Sequence, residues 1–202
     1  MTKQFYSAKQ GVTLKILICG VPKSGKTTLC KQIGKEFPSF NIISGEALRN
    51  GFQKMDSIHY KEWGNKYSKQ REEDFPAFLK EFTEWNEFFT GNNTILDLAI
   101  LNLKDIAKVA SANDKIICLG FGGKDEKEMF DIIRSYEHKQ DYTADMSNED
   151  LMKLWGNIAQ EDKNNIDFCD KNKISYYDTS FDREIVFEKI LKDLSMLKKE
   201  LK

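Results

Sequence analysis

The sequence predicts an α/β protein with a five-stranded parallel sheet, doubly wound by helices on both faces, and three observations carry that prediction. Five short apolar runs recur along the 202 residues, each of a length that suits a buried strand. Between them lie segments whose apolar residues repeat at helical spacing, and such alternation favours right-handed crossovers into a parallel sheet. The third observation is Gly20-Val-Pro-Lys-Ser-Gly-Lys-Thr27, a full match to G-x-x-x-x-G-K-[ST], set between the first apolar run and the first helical segment.

The elements follow in order. Residues 1–12 are polar and carry no motif, reading as a loose arm or an edge extension. Leu14-Lys-Ile-Leu-Ile-Cys19 is the first strand, and Leu29, Ile33 and Phe37 mark one face of the helix after the loop. Phe40-Asn-Ile-Ile43 is the second strand, and Ser44 to Arg49 form a turn and a helix start. The stretch from Asn50 to Gly91 holds no strand. Asp74 with Pro76 reads as a helix start there, and Phe75, Phe78, Leu79, Phe82, Trp85, Phe88 and Phe89 line a face expected to pack as core. Thr94-Ile-Leu-Asp-Leu98 is the third strand and Lys115-Ile-Ile-Cys-Leu119 the fourth, the latter leaving through Gly120-Phe-Gly-Gly123. Asp125 to Tyr136 is a helix with Met129, Ile132, Ile133 and Tyr136 inward; residues 137–146 are polar and read as a mobile segment. Ser147 caps a helix running to about Lys171, Lys173-Ile-Ser-Tyr-Tyr177 is the fifth strand, and Asp182 opens a last helix with Ile185, Ile190, Leu194, Leu197 and Leu201 as its stripe. The expected organisation is one domain over 1–202, with a helical insertion at about 45–92 and a short lid-like segment at about 134–147.

The loop is the chemical centre. With a strand before it and a helix after it, the backbone N–H groups from Lys23 through Ser24, Gly25 and Lys26 to Thr27 converge on a phosphate where unpaired donors and the helix dipole favour negative charge. Thr28 continues that first turn. Lys26 reaches the terminal phosphates, Thr27 offers its hydroxyl to Mg²⁺, and Gly20 and Gly25 permit backbone that a Cβ would obstruct. This pattern predicts a P-loop NTPase fold. Asp97 closes the third strand, where an acid beside such a loop is suited to orient Mg²⁺ directly or through water.

Composition narrows the partners. Net charge is −1, from 31 basic and 32 acidic residues, so no overall field draws the chain to nucleic acid or an anionic membrane. The arginines number four, Arg49, Arg71, Arg134 and Arg183, and are the better candidates for bidentate phosphate binding. Cys19, Cys30, Cys118 and Cys169 form no C-x-x-C pair and read as buried reduced thiols, with no disulfide or zinc site expected. No apolar run approaches the roughly 20 residues of a membrane span, and a cytoplasmic protein is expected.

The order of strand, G-x-P-x-S-G-K-T loop, helix, Ile43-Ser-Gly-Glu-Ala-Leu-Arg49 and a strand ending in aspartate resembles the P-loop nucleoside monophosphate kinases, and most of all adenylate kinase over the first fifty residues. Lys23 stands where that family's loop has glycine, the segment after the second strand is one residue short, and the later arginine-rich motifs are missing. The resemblance implies an ATP- and Mg²⁺-dependent kinase with Arg49 on an acceptor phosphate, Ser44 and Glu46 beside it, and Arg183 near the nucleotide base. Arg134 is the lid candidate for transition-state charge. Two other readings compete: a nucleotide-dependent switch, weakened because N-K-x-D, D-x-x-G and L-S-G-G-Q motifs are missing, and a kinase for a polynucleotide 5′-hydroxyl. The second would use Arg49, Lys54, Lys61, Lys66 and Lys69, but Glu62, Glu72, Glu73 and Asp74 interrupt or adjoin that basic run, so nucleic acid is not the expected partner.

Overall fold

Strand β1 (Lys15–Gly20) alternates sharply: Leu14, Ile16 and Ile18 pack on one face of the sheet, Leu17 and Cys19 on the other. Because both faces are covered, every second residue can be apolar on either side, which is why this strand reads as a continuous apolar run. A computed structural model describes residues 13–54, 57–99, 101–136, 143 and 145–200. The expected arm at 1–12 lies outside the described residues.

The sheet is five-stranded and parallel, in the order β2 (Phe40–Ser44), β3 (Asn93–Asp97), β1, β4 (Lys115–Gly120), β5 (Ser175–Asp178). The chain steps outward to β2, returns through β3, and then crosses β1 to build β4 and β5. That change of direction leaves β1 at the centre with a crevice at its carboxyl end, the place where open α/β sheets bind ligands.

Three apolar clusters fix the layers. Helices α1 (Lys26–Glu36) and α7 (Arg183–Glu200) cover one face through Leu29, Ile33, Phe187, Ile190 and Leu194. On the other face α3 (Ser57–Thr90), α4 (Leu103–Val109) and α6 (Asn148–Asn172) contribute Phe75, Leu79, Leu103, Ile106 and Cys169. The third cluster joins α5 (Glu126–Tyr136) to α6 and takes in Val21 and Phe121, the residues that follow β1 and β4. The described cysteines are all buried, as expected.

Several sequence expectations need correction. Pro76 does not start a helix; it sits inside α3, which runs unbroken from Ser57. A proline at that point is tolerated because the flanking turns are held by packing of Phe75 and Leu79. Only the first part of the aromatic stripe is core. Phe75 is 1 % exposed, whereas Trp85 and Phe89 are 50 % and 74 % exposed and stack on one another near the helix end. In the last helix Phe187 takes the core position and Ile185 faces solvent. Helix α4 was not foreseen; Asn102 caps it by accepting from the Asp105 N–H at 3.0 Å. Ser147 caps α6 as expected, accepting from the Asp150 N–H. The fifth strand begins at Ser175, since Lys173 is the left-handed cap of α6. Of the segment expected to be mobile, residues 137–142 and 144 lie outside the described residues.

A lysine is buried at the start of β1. Lys15 is 2 % exposed and places Nζ 3.1 Å from Asp114 and 3.8 Å from Glu87. Burial holds the Glu87 carboxyl above the usual range, with Lys15 drawing it back. Replacing the cation strands two carboxylates, so Lys15→Met is expected to cost about 3 kcal/mol in urea unfolding at neutral pH. A carboxylate with a raised folded pKa favours the fold below its ordinary value and loses that contribution as pH rises. The cost of Lys15→Met should therefore shrink on acidification towards about pH 4, where Glu87 is protonated.

Candidate active site

The loop at residues 20–27 is bent by its neighbours as much as by its glycines. Gly20 has φ +122°, and a Cβ there would collide with Leu119 O on the adjacent strand; Gly25 has φ +94° and lies against Phe187 and Arg183. Lys23 adopts φ +65° without being glycine. Val21 N–H donates to Leu119 O at 3.2 Å, tying the start of the loop to the end of β4.

Inside this bend lies Lys26, 5 % exposed, whose Nζ donates to Gly20 O at 3.0 Å and Val21 O at 2.6 Å. Burial pushes its pKa down, and the Asp97 carboxylate pulls it back up. An ammonium has three donors, so one remains for a ligand oxygen. Thr27 Oγ1 donates to Asp97 Oδ2 at 2.7 Å. The pairing is set by sheet register: Asp97 stands opposite Ile18 on β1 and opposite Ser44 on β2, so the carboxyl ends of three strands meet beside the loop. Asp97 is 8 % exposed, and its Oδ1 is buried with no hydrogen-bond partner. A buried carboxylate oxygen is seldom left unpaired, and a hard cation is the partner that a hydroxyl and a carboxylate together suit. Among the described residues no group of three or more acidic, histidine or cysteine side chains could hold a metal unaided. A Mg²⁺ ion at Thr27 and Asp97 therefore fits only in the company of ligand oxygens, its usual habit.

The remaining predicted residues fall in three places. Ser44, Glu46 and Arg49 open α2 (Gly45–Lys54): Ser44 Oγ accepts from the Ala47 N–H at 3.2 Å, Glu46 is exposed in the first turn, and the Arg49 Nε is shielded from solvent without a hydrogen-bond partner. Arg183 donates from Nη2 to Lys23 O at 2.9 Å, so it meets the loop backbone from outside. Thr28 is exposed on the first turn of α1, and Ser24 is fully buried with its Oγ unpartnered. Arg134 is held at the junction of α5 and α6, donating to Asn148 Oδ1 at 3.2 Å and lying 5.4 Å over the Phe130 ring. The structure thus joins Lys26, Thr27 and Asp97 directly and Arg183 through Lys23.

Two features escaped the sequence reading. Thr179 is buried after β5, and its hydroxyl lies 3.1 Å from Ser24 O and 3.0 Å from Gly120 O. Asp162, fully buried on α6, accepts from the N–H groups of Phe121 and Gly123 at 3.0 Å and from the Tyr176 hydroxyl at 2.9 Å; that hydroxyl in turn accepts from Gly122 N–H. Nothing near Thr179 or Asp162 in the chain signals these roles, because their partners lie 14 to 155 residues away.

Comparison with family profiles finds no match, and no curated protein matches. Solved structures do match. Shikimate kinase from Bacteroides thetaiotaomicron aligns with TM-score 0.55 at 15% identity, over 93% of this chain and 99% of that one. Gluconokinase from Sinorhizobium meliloti aligns with TM-score 0.55 at 14% identity, over 95% of each. Deoxyadenosine kinase from M. mycoides aligns with TM-score 0.51 at 16% identity, over 90% and 99%. The fold is that of the P-loop kinases. At these identities the likeness is one of architecture, and it does not single out the adenylate kinase group.

Within that fold, the Asp162 and Tyr176 pair holds the loop after β4 against α6. Tyr176→Phe removes one donor to a buried carboxylate and leaves Gly122 N–H without its partner. A loss of about 1–3 kcal/mol in chemical unfolding is expected, with the far-ultraviolet circular dichroism unchanged.

Proposed function

We propose that this protein is a kinase that transfers the terminal phosphoryl group of Mg·ATP to a small-molecule or nucleotide acceptor. The observation that carries the reading is the buried, unpartnered Asp97 Oδ1 beside the Thr27 hydroxyl and the Lys26 ammonium. Gly20, Lys23, Ser24, Gly25, Lys26, Thr27 and Thr28 form the donor phosphate cradle. When bound by Thr27 and Asp97, Mg²⁺ supplies neutralisation of charge on the phosphate oxygens. Lys26 adds a buried positive charge whose lowered pKa reflects a dry setting, where attraction to a phosphate is stronger than in water. Phe181, 79 % exposed between Ser180 and the start of α7, has Lys124 5.0 Å from its ring centre and offers a surface on which a base can stack.

On the acceptor side, Ser44, Glu46 and Arg49 form the binding group, supported by the Ser44–Asp97 register that sets the end of β2 next to the metal-binding carboxylate. Helix α2 and the insertion over 45–92 are assigned as the acceptor cover. Arg134 is proposed as the cation for the transferring group; α5 and α6, which hold it, pack against the loop through Val21. Arg183 serves the donor side by holding the loop.

The donor assignment is tested by thermal melting. Mg·ATP at about 100 times its Kd should stabilise the protein by about 2.7 kcal/mol, and Lys26→Ala or Thr27→Ala should remove most of that shift. An unchanged shift in both variants would sink the assignment. A screen of nucleotides, sugars, hydroxy acids and oligonucleotides with labelled ATP names the acceptor. Once it is known, Arg134→Ala should leave Mg·ATP binding intact and lower transfer by about 10³-fold or more; near wild-type turnover would return Arg134 to a purely structural place between α5 and α6.

A further inference from the structure

Lys23 is the one residue of the loop whose backbone conformation its own side chain opposes. At φ +65° an L-residue other than glycine crowds its Cβ against the neighbouring carbonyl, and it is held there by the turn's own Ser24 N–H to Val21 O bond at 3.4 Å together with contacts from outside the loop. The outside contacts to the Lys23 and Ser24 carbonyls come from one short stretch, residues 179–183. The Arg183 guanidinium donates to Lys23 O, and the Thr179 hydroxyl shares its one hydrogen between Ser24 O at 3.1 Å and Gly120 O at 3.0 Å, so two successive carbonyls are held by the same stretch. Thr179 is itself anchored, its N–H donating to Gly120 O at 2.8 Å. The Arg183 stem and the Phe187 ring occupy the space that a Cβ on Gly25 would need, which lets the guanidinium approach.

A trans peptide points its C=O and the following N–H in opposite directions. Holding Lys23 O and Ser24 O towards α7 therefore turns the N–H groups of Ser24 and Gly25 the other way: Ser24 N–H closes the turn onto Val21 O at 3.4 Å, and Gly25 N–H faces away from α7. We propose that Arg183 and Thr179 are positioning residues that keep Lys23 left-handed and so aim the Gly25 N–H at the donor phosphates, with Arg183 acting through the backbone and not by touching the nucleotide. The proposal rests on the donor-site reading above and adds to it a specific pairing: Arg183 is needed because residue 23 is not glycine.

The test is a double substitution. Arg183→Gln is expected to weaken binding of Mg·mant-ATP about tenfold, equivalent to about 1.4 kcal/mol. Adding Lys23→Gly, which removes the conformational penalty, should restore affinity to within about threefold of Lys23→Gly alone. Thr179→Ser should bind like wild type, whereas Thr179→Val should resemble Arg183→Gln. If Lys23→Gly restores nothing, Arg183 contacts the nucleotide itself and the proposal falls. The same cycle is read by melting of the nucleotide-free protein. Lys23→Gly should raise the melting temperature in the wild-type background and raise it less in Arg183→Gln, where the loop is no longer held in the strained form; strictly additive shifts overturn the proposal. That second reading needs no ligand. A wild-type protein that bound no nucleotide would defeat the donor assignment, while the melting cycle would still decide whether Arg183 holds Lys23. Should Arg183→Gln fail to fold, Arg183→Lys takes its place in both measurements.

Discussion

A buried ammonium governs the architecture around the loop at residues 20–27. Lys26 has almost no contact with solvent, and a charge in that position is tolerable only if oxygen atoms surround it. The chain supplies them by folding the loop back so that Gly20 O and Val21 O point inward and by placing Asp97 on the neighbouring strand. The inward carbonyls require the unusual backbone at Gly20, and that in turn requires a strand end close enough to leave no room for a Cβ. The order of strands follows from the same need: with β1 between β3 and β4, an acid from one side and a carbonyl acceptor from the other meet the loop together.

The loop is also the point where the molecule's layers are joined. Val21 enters the cluster shared by α5 and α6, Lys23 O and Ser24 O are bound from the segment leading into α7, and Thr27 reaches β3. Asp162 performs a parallel service for the loop after β4, using three hydrogen bonds to hold an otherwise costly buried carboxylate; burial still pushes its pKa up. These polar anchors are few, and each is at least partly buried. Each fixes the direction of a peptide plane, which apolar packing alone does not do, because dispersion contacts are indifferent to small rotations of the backbone.

The end of α3 shows the opposite case. Its aromatic residues keep helical spacing to Phe89, yet the sheet beneath covers only Phe75, Leu79 and their neighbours. Periodicity identified a helix correctly there and overstated its burial, since a stripe of apolar residues says which face is apolar and not how far the partner surface extends. Pro76 misled for a related reason: its helix-starting preference is local, and packing on both sides of it outweighed that preference.

What the sequence determined by itself was whatever depends on neighbours along the chain. Five strands betray themselves by apolar runs, the loop by residues 20–27, the cap of α6 by Ser147, and the acid that meets Thr27 by its place at the end of a strand. Each of these rests on contacts within a few residues or on the regular alternation of a sheet buried on both faces. Only the tertiary structure decided that Asp97 Oδ2 meets Thr27 while Oδ1 is left unpaired, that Arg183 grips the loop backbone, and that Thr179 and Asp162 hold the two strand exits. Those pairings span 39 to 160 residues, and they arise from sheet register and the packing of helices across it. A side chain's type announces what it can bind; which partner it finds is settled by where the fold brings the rest of the chain.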